Sequence, residues 1–370
     1  MRLLGFALGF VGLVAAGVPV ETYAQGGPPA MKLKSGKPYT HPHTKIVVPE
    51  ILGGMKRSGG QAYFGDDLNL GIQYESNNAS EAITVYVYRN TAGNIPIWFD
   101  RAREVIEKRS NFGNVKPFTT PVSFTAPGQD ADSAMGITYA LLQSSYKSSA
   151  LALIPAGEFY VKIRASSSVK TPQETQMWMD QIIKQIQWPK QAVVQPAAVP
   201  IKSCDASAKF DPAAKKIKQD TANAMITGLL GSAVNLNVGT KDEKEPPAIW
   251  CRDAFEIFPS GVYRANNATD GYMLAISDAG AAIYVGPDLA ATLLEQKSDA
   301  DAKKETNKTE PKSYSITLNL PDSVLAFQPR DGLPSPSQAL QIVEREAPNT
   351  TTRNWGKQKG NIEINSGAMK

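Results

Sequence analysis

Two histidines, His41 and His43, stand one residue apart in Tyr39-Thr-His-Pro-His-Thr44, and they are the only histidines in the chain. A His-x-His pair can bind a transition metal if further ligands arrive from elsewhere in the fold. The sequence offers no companion cluster at metal-ligand spacing, and a Pro-flanked pair in a polar stretch is also what a solvated arm looks like, so His41 and His43 are candidate ligands and no more. The same scarcity argues against Ser-His and Cys-His hydrolases, because any imidazole general base has to be one of these two. A strand followed by Gly-x-Gly-x-x-Gly, a phosphate-cradling Gly-x-x-x-x-Gly-Lys-Ser/Thr and a Gly-x-Ser-x-Gly elbow are all absent, and no cofactor is implied.

Carboxylates are the other route to hydrolysis. Asp66-Asp67 and Glu158 can be proposed for glycosidase-like acid and base roles, although acids beside turns are ordinarily solvated. A binding surface is the remaining candidate. In the segment Ala82-Ile-Thr-Val-Tyr-Val-Tyr-Arg89, Ile83, Val85 and Val87 alternate with Thr84, Tyr86 and Tyr88; in 159–165, Phe159, Val161 and Ile163 alternate with Tyr160, Lys162 and Arg164. If these strands share one sheet, Tyr86, Tyr88, Tyr160, Lys162 and Arg164 lie on one face. Tyrosines beside Lys and Arg suit an anionic or sugar-like ligand or a protein partner, and the same long side chains also commonly cover a solvated sheet.

The elements that would position these residues follow from periodicity. Leu68, Leu70, Ile72 and Tyr74 share one face of a strand that precedes the Asn-rich break 76–80, so residues 68–89 read as a β-hairpin with one core face. Pro96 opens a helix carrying Trp98, Phe99, Ala102, Val105 and Ile106 inward, with Arg101, Arg103, Glu104, Glu107 and Lys108 outward. A meander over 137–146, 150–154 and 158–165 follows, after which Thr171, Pro172 and Glu174 form a capping box for a helix that ends before Pro189. In the second half a helix is expected from Asp211 to Leu230, hairpins over 272–286 and 314–328, a short helix from Pro287 to Glu295 and a last helix from Pro336 to Glu346 with Ala339, Leu340 and Val343 inward.

This order of hairpins and helices argues an α+β fold with antiparallel pairing and not a parallel βαβ sheet. Two domains are expected, each built of antiparallel hairpins or a meander packed by a few amphipathic helices: 45–188, then a Pro/Ala linker at 189–200, then 201–347. A flexible arm at 25–44, a mobile charged loop at 297–312 and a disordered tail at 348–370 complete the reading. The order hairpin, helix, meander, helix in residues 46–188 resembles in topology the Mog1 and PsbP folds, a likeness that implies no activity.

The 370-residue chain carries a net charge of +4, with 39 Lys and Arg against 35 Asp and Glu spread along it, so a nucleic-acid partner is not indicated. Arg2, the apolar run from Leu3 to Gly17 and Thr22-Tyr-Ala24 read as a signal peptide over 1–24, cleaved near Ala24. That run is short for a membrane span and no later stretch qualifies, so no integral membrane segment is expected. The address is then a bacterial periplasm or the exterior, where Cys204 and Cys251 should pair. The expected function is an exported, non-enzymatic binding or accessory protein for a small ligand, a glycan or a protein; the alternative is a secreted hydrolase whose carboxylate or Ser/Lys site needs no histidine. A Cys204–Cys251 bond stabilises by about 4 kcal/mol in the chain-entropy picture. Thiol titration of the unfolded, unreduced protein is expected to find no free thiol, and two titrating thiols would refute the pairing.

Overall fold

A computed structural model describes residues 27–190, 195–218, 226, 248–288, 291 and 313–368. Chain order runs β1 (Tyr39–Thr40), β2 (Val47–Val48), β3 (Ile51–Leu52), β4 (Met55–Phe64), β5 (Asn69–Glu75), β6 (Glu81–Arg89), α1 (Ile95–Glu107), β7 (Val115–Pro117), β8 (Val122–Phe124), β9 (Ala134–Leu141), β10 (Ser148–Ala156), β11 (Phe159–Ser167) and α2 (Pro172–Gln185). It continues with β12 (Lys202–Ser203), β13 (Trp250–Arg252), β14 (Gly261–Ala265), β15 (Tyr272–Ala275), β16 (Ala282–Pro287), β17 (Tyr314–Asn319), β18 (Ser323–Arg330), α3 (Pro336–Arg345), β19 (Thr350–Arg353) and β20 (Ile362–Ile364).

Two large sheets result, and the architecture is α+β. The first has the order β3-β4-β5-β6-β11-β10-β9-β7, with β8 also on β9; the second follows chain order from β12 to β20. Among the described pairs, only β12 with β13 is parallel. The expected hairpin is present as β5 and β6, in register from Asn69↔Tyr88 to Glu75↔Ala82. β6 pairs with β11 so that Val85 opposes Ile163 and Tyr86 opposes Lys162, which puts the two predicted strands side by side.

Three apolar layers hold the sheets. Outside the first sheet, Leu70, Ile72, Val85, Val161 and Ile163 pack under Trp178, Met179 and Ile182 of α2. This helix starts as its sequence requires: Glu174 N–H donates to Thr171 Oγ1 and Thr171 N–H to Glu174 Oε2, a box that contributes roughly 1 kcal/mol. Outside the second sheet, Leu274, Ile283, Ile316 and Phe327 meet Ala339, Ile342 and Val343 of α3, and Ser335 with Gln338 forms a second capping box. Between the sheets, Trp98, Phe99, Ala102 and Ile106 of α1 join Tyr139, Leu151 and Leu153 of the first sheet to Tyr263, Met273, Ala275 and Ala282 of the second. The middle layer therefore draws on both halves of the chain.

That layer changes the reading of α1. A single apolar stripe predicts one wet face, yet Arg101 is 0 % exposed and Glu104 only 6 %. The helix is covered on two sides, and Asp100, Arg101 and Glu104 turn toward the second sheet. Its N-cap residue, Asn94, makes no side-chain cap bond, so burial and not capping stabilises this helix.

Four further expectations give way. The arm before residue 45 is packed: Ala62 N–H donates to Pro29 O, Met31 N–H to Gly60 O, β1 pairs with β2 and His41 is fully buried. The tail beyond 348 is structured, because β19 and β20 extend the second sheet and bury Asn349 and Thr350. Of the helix expected from Asp211 to Leu230, residues 211–218 are instead a turn followed by extended chain that bridges to Arg330, Ile226 is helical, and the rest lies outside the described residues. Of the linker, residues 195–198 lie along the 129–132 loop, with Ala198 N–H on Asp132 O and Gln195 N–H on Gln129 Oε1. The expected signal peptide, the charged loop 297–312 and most of the 287–295 helix fall outside the described residues.

Cys204 and Cys251, 47 residues apart, form the expected disulfide and tie β13 to the segment after β12. Among the described residues, no helix is long and apolar enough to cross a membrane. Because the middle layer is shared, residues 45–188 produced alone are expected to bind a hydrophobic dye and to unfold at a lower midpoint than the full chain. An isolated fragment that matches the full chain's midpoint without binding dye would show that the layer contributes little.

Candidate functional site

The five residues of the expected binding face do share one side of the first sheet, but it is an interior side. Tyr88 is 0 % exposed, Tyr160 4 % and Lys162 6 %; Tyr86 and Arg164 are half-buried. The β15–β16 turn of the second sheet covers Lys162 and Tyr88, and Arg164 lies over the Phe112 ring. Lys162 Nζ lies 2.6 Å from Asp278 Oδ2 and over the Tyr86 ring at 4.7 Å. Thr91 Oγ1 donates to Gly280 O, and Gly280, at φ +93°, comes so close that a Cβ there would lie 2.5 Å from Arg89 O. Burial pushes the Asp278 carboxyl up, but the Lys162 charge and hydrogen bond, with Arg101 and Arg164, bring it below the ordinary carboxylate value. This face holds the halves together; its tyrosines are not offered to a ligand.

A second charged cluster serves the same purpose. Asp100 accepts hydrogen bonds from Arg103, from Arg252 Nη1 at 3.0 Å and from Tyr263 Oη at 2.7 Å. Glu104 pairs with Arg101, with Lys108 at 2.7 Å and with Arg252 at 2.7 Å. Arg101 also donates to the carbonyls of Pro259 and Ser277. Carboxylates held by this many donors are poor proton shuttles, and the cluster reads as a weld between α1 and the second sheet.

The histidines and carboxylates singled out in the sequence meet elsewhere, at one end of the seam. β4 and β5 are joined by the turn Gly65-Asp66-Asp67-Leu68, closed by Leu68 N–H on Gly65 O at 3.1 Å, with φ of +54° at Asp66 and +53° at Asp67. Left-handed backbone at both central positions is the type I′ arrangement that Asn-Gly or Gly-Gly adopts readily and that two aspartates adopt under strain. The two histidines hold it. His41 Nε2 donates to Asp67 O at 2.9 Å and His43 Nε2 to Asp66 O at 2.7 Å. His41 Nδ1 accepts from Thr44 N–H and lies 3.0 Å from Thr44 Oγ1, so both of its ring nitrogens are engaged, and burial lowers its pKa. A metal-ligand role for His41 is therefore not supported, and the described residues hold no group of three or more potential ligands.

The connection from β19 to β20 closes over the same place. Trp355 Nε1–H donates to Asp66 Oδ2 at 2.5 Å, and the indole meets His43 at 4.8 Å and Phe159 at 5.9 Å between ring centroids. The Arg89 guanidinium sits 4.5 Å from the Trp355 ring and donates to Pro321 O at 2.7 Å, to Asn354 Oδ1 at 2.8 Å and to Glu158 Oε2. Around this knot lies an open depression of about 320 Å³, lined by Phe64, Asp66, Asp322, Arg353, Trp355 and Lys357 among others. Asp322 comes from the β17–β18 turn and is paired to Arg353 at 3.3 Å. Asp66 is 62 % exposed in its side chain, so its carboxylate is available to solvent and to a ligand.

The sequence offers His41 and His43 as candidate metal ligands and Asp66, Asp67 and Glu158 as candidate acid and base groups, and does not bring the two sets together. Trp355 and Arg353 are not singled out there because residues 348–370 read as disordered, and Asp322 because it reads only as the turn of the 314–328 hairpin; a signal in the tail is Trp355 itself, since an aromatic there has something to cover. No protein-family model matches the chain, and no curated protein matches its sequence.

Two outcomes follow from the buried pairs. Burial raises the Glu104 carboxyl, but Lys108, Arg101 and Arg252 carry it from an ordinary 4.5 down to about 2. A group depressed in the folded state contributes stability that is full above its unfolded pKa and is lost as pH falls through the folded one. Denaturant midpoints should therefore fall between pH 4.5 and about 2, and Glu104→Gln should show a shallower fall over that window; equal slopes would remove Glu104 from the account. Replacing Lys162 by Ala strands Asp278 and should cost on the order of 3 kcal/mol in denaturant unfolding. A neutral effect would mean that the pair is solvated.

Proposed function

We propose that this chain is an exported binding or accessory protein, not an enzyme, and that it holds a polar ligand in the depression where the β4–β5 turn meets the β19–β20 connection. The observation that carries the reading is Trp355. Its indole is fixed by Asp66, Arg89 and His43, and it lines an open depression whose other walls include Phe64, Leu68, Gln358 and charged groups of both signs. Aromatic surface beside a few placed polar groups is the usual composition of a ligand site. Strain at Asp66 and Asp67 supports the same place, since strained backbone persists where the surroundings over-determine it.

Export is part of the proposal. It is supported by the Arg2 and Leu3–Gly17 pattern and by the disulfide, which persists in oxidising compartments. The antiparallel first sheet, with α1 on one face and α2 on the other, is in keeping with a first domain of Mog1/PsbP-like topology, and that likeness contributes nothing to the choice of ligand.

The test uses the full chain labelled with ¹⁵N, in which Trp355 is one of five tryptophans. A panel of neutral sugars, dicarboxylates, amino acids and short peptides is added while the indole N–H signals are followed. One class of probe should shift the Trp355 signal saturably and leave the other indoles in place. If every probe leaves Trp355 unmoved, or the shifts map to another surface, the depression is not the binding site.

A further inference from the structure

We propose that the depression recognises a neutral saccharide, taken as a short stretch of a longer glycan. The inference rests on the binding reading above and adds the ligand class. Its basis is the balance of charge on the walls. Asp66 and Asp322 supply two negative groups, and Arg353 and Lys357 two positive ones. These cancel, so an ion of either sign gains no net attraction and must leave the opposite wall groups facing a like charge or nothing. An apolar ligand fares worse, because it would strip water from four ionised side chains without replacing the hydrogen bonds.

Vicinal hydroxyls avoid both costs. Each sugar hydroxyl donates one hydrogen bond and accepts others, so neighbouring hydroxyls can give to a carboxylate and receive from a guanidinium or ammonium at once. Asp322 and Arg353 are already placed as such a pair, 3.3 Å apart, and Gln358 adds an amide with both donor and acceptor capacity. The rings supply the rest. Trp355 and Phe64 present apolar area against which the C–H face of a pyranose can lie, while their neighbours bind its rim.

Size and rigidity agree. A volume near 320 Å³ lies at the small end of the range of roughly 300–1,000 Å³ for ligand pockets, and the depression opens to solvent, so a bound ring can continue into chain on either side. The walls are set before a ligand arrives: His41 and His43 hold the turn that carries Asp66, and Arg89 holds the Trp355 indole. Pre-set geometry lowers the ordering cost of binding, which matters most for an open site with little area to bury.

The experiment follows the Trp355 indole N–H of the full ¹⁵N-labelled chain. The probes are neutral tetrasaccharides of glucose, mannose, xylose and N-acetylglucosamine, set against tetragalacturonate, chitosan tetramer and trialanine. At least one neutral tetrasaccharide should give saturable shifts that are insensitive to added salt. Lys357→Ala should weaken that binding several-fold with an unchanged thermal midpoint, because Lys357 is exposed. For Trp355→Ala and Trp355→Phe, which lack that indole, binding is followed by titration calorimetry: the first should weaken it about tenfold or more, and the second should restore part. Saturable, salt-sensitive binding of a charged probe, with none of a neutral one, would overturn the saccharide class and leave the binding reading standing. No shift with any probe would overturn both.

Discussion

A guanidinium withdrawn from water must find acceptors for its N–H groups or cost several kcal/mol, and Arg89 solves this by drawing on both sheets at once. It stands at the end of β6 with its side chain 5 % exposed, takes Glu158 from the β10–β11 turn, and reaches across to Pro321 O, Asn354 and the Trp355 ring. Burial lowers its pKa and Glu158 opposes the shift, so the charge is kept. The second sheet's turns are therefore not free to sit anywhere: the β17–β18 turn and the β19–β20 connection must lie where their carbonyls meet this one group.

The same logic repeats along the seam. Lys162 with Asp278, Arg252 with Asp100 and Glu104, and Tyr263 with Asp100 each join an atom of the first sheet or α1 to one of the second. Apolar contact between Trp98, Met273 and their neighbours supplies the bulk of the attraction, and it is non-directional. The buried pairs supply direction. A slide of one sheet over the other would leave several charges unpaired, which selects one arrangement even where the net gain of each pair is modest.

The depression is a consequence of that arrangement. Asp66 belongs to the first sheet, Asp322, Arg353 and Trp355 to the second, so none of its walls is complete in either alone. Its groups differ from those of the seam in being reachable. Asp66, Lys357 and Gln358 face solvent, whereas Asp100, Glu104 and Asp278 spend their capacity on neighbours.

Local pattern alone determined much of the fold. The alternation in 68–89 gave the β5–β6 hairpin and its core face, Thr171-Pro-Gln-Glu174 started α2, and the apolar positions from Pro336 onward placed α3, because these depend on neighbours within a few residues. β4 was missed, since Met55–Phe64 carries Gly59 and Gly60 and no β-branched residue, and its pairing shifts register between Arg57 and Gly59 and between Ala62 and Phe64. Composition made residues 348–370 look like a disordered tail, yet they form β19 and β20, because their stability comes from pairing on β18 and from Arg89 and not from their own hydrophobicity. The face of Tyr86, Tyr88, Tyr160, Lys162 and Arg164 was legible as a face, and whether it met water was not. Periodicity fixes which side chains point together; what lies opposite them is set by residues such as Asp278, 116 positions from the Lys162 it pairs with, whose approach no local pattern encodes.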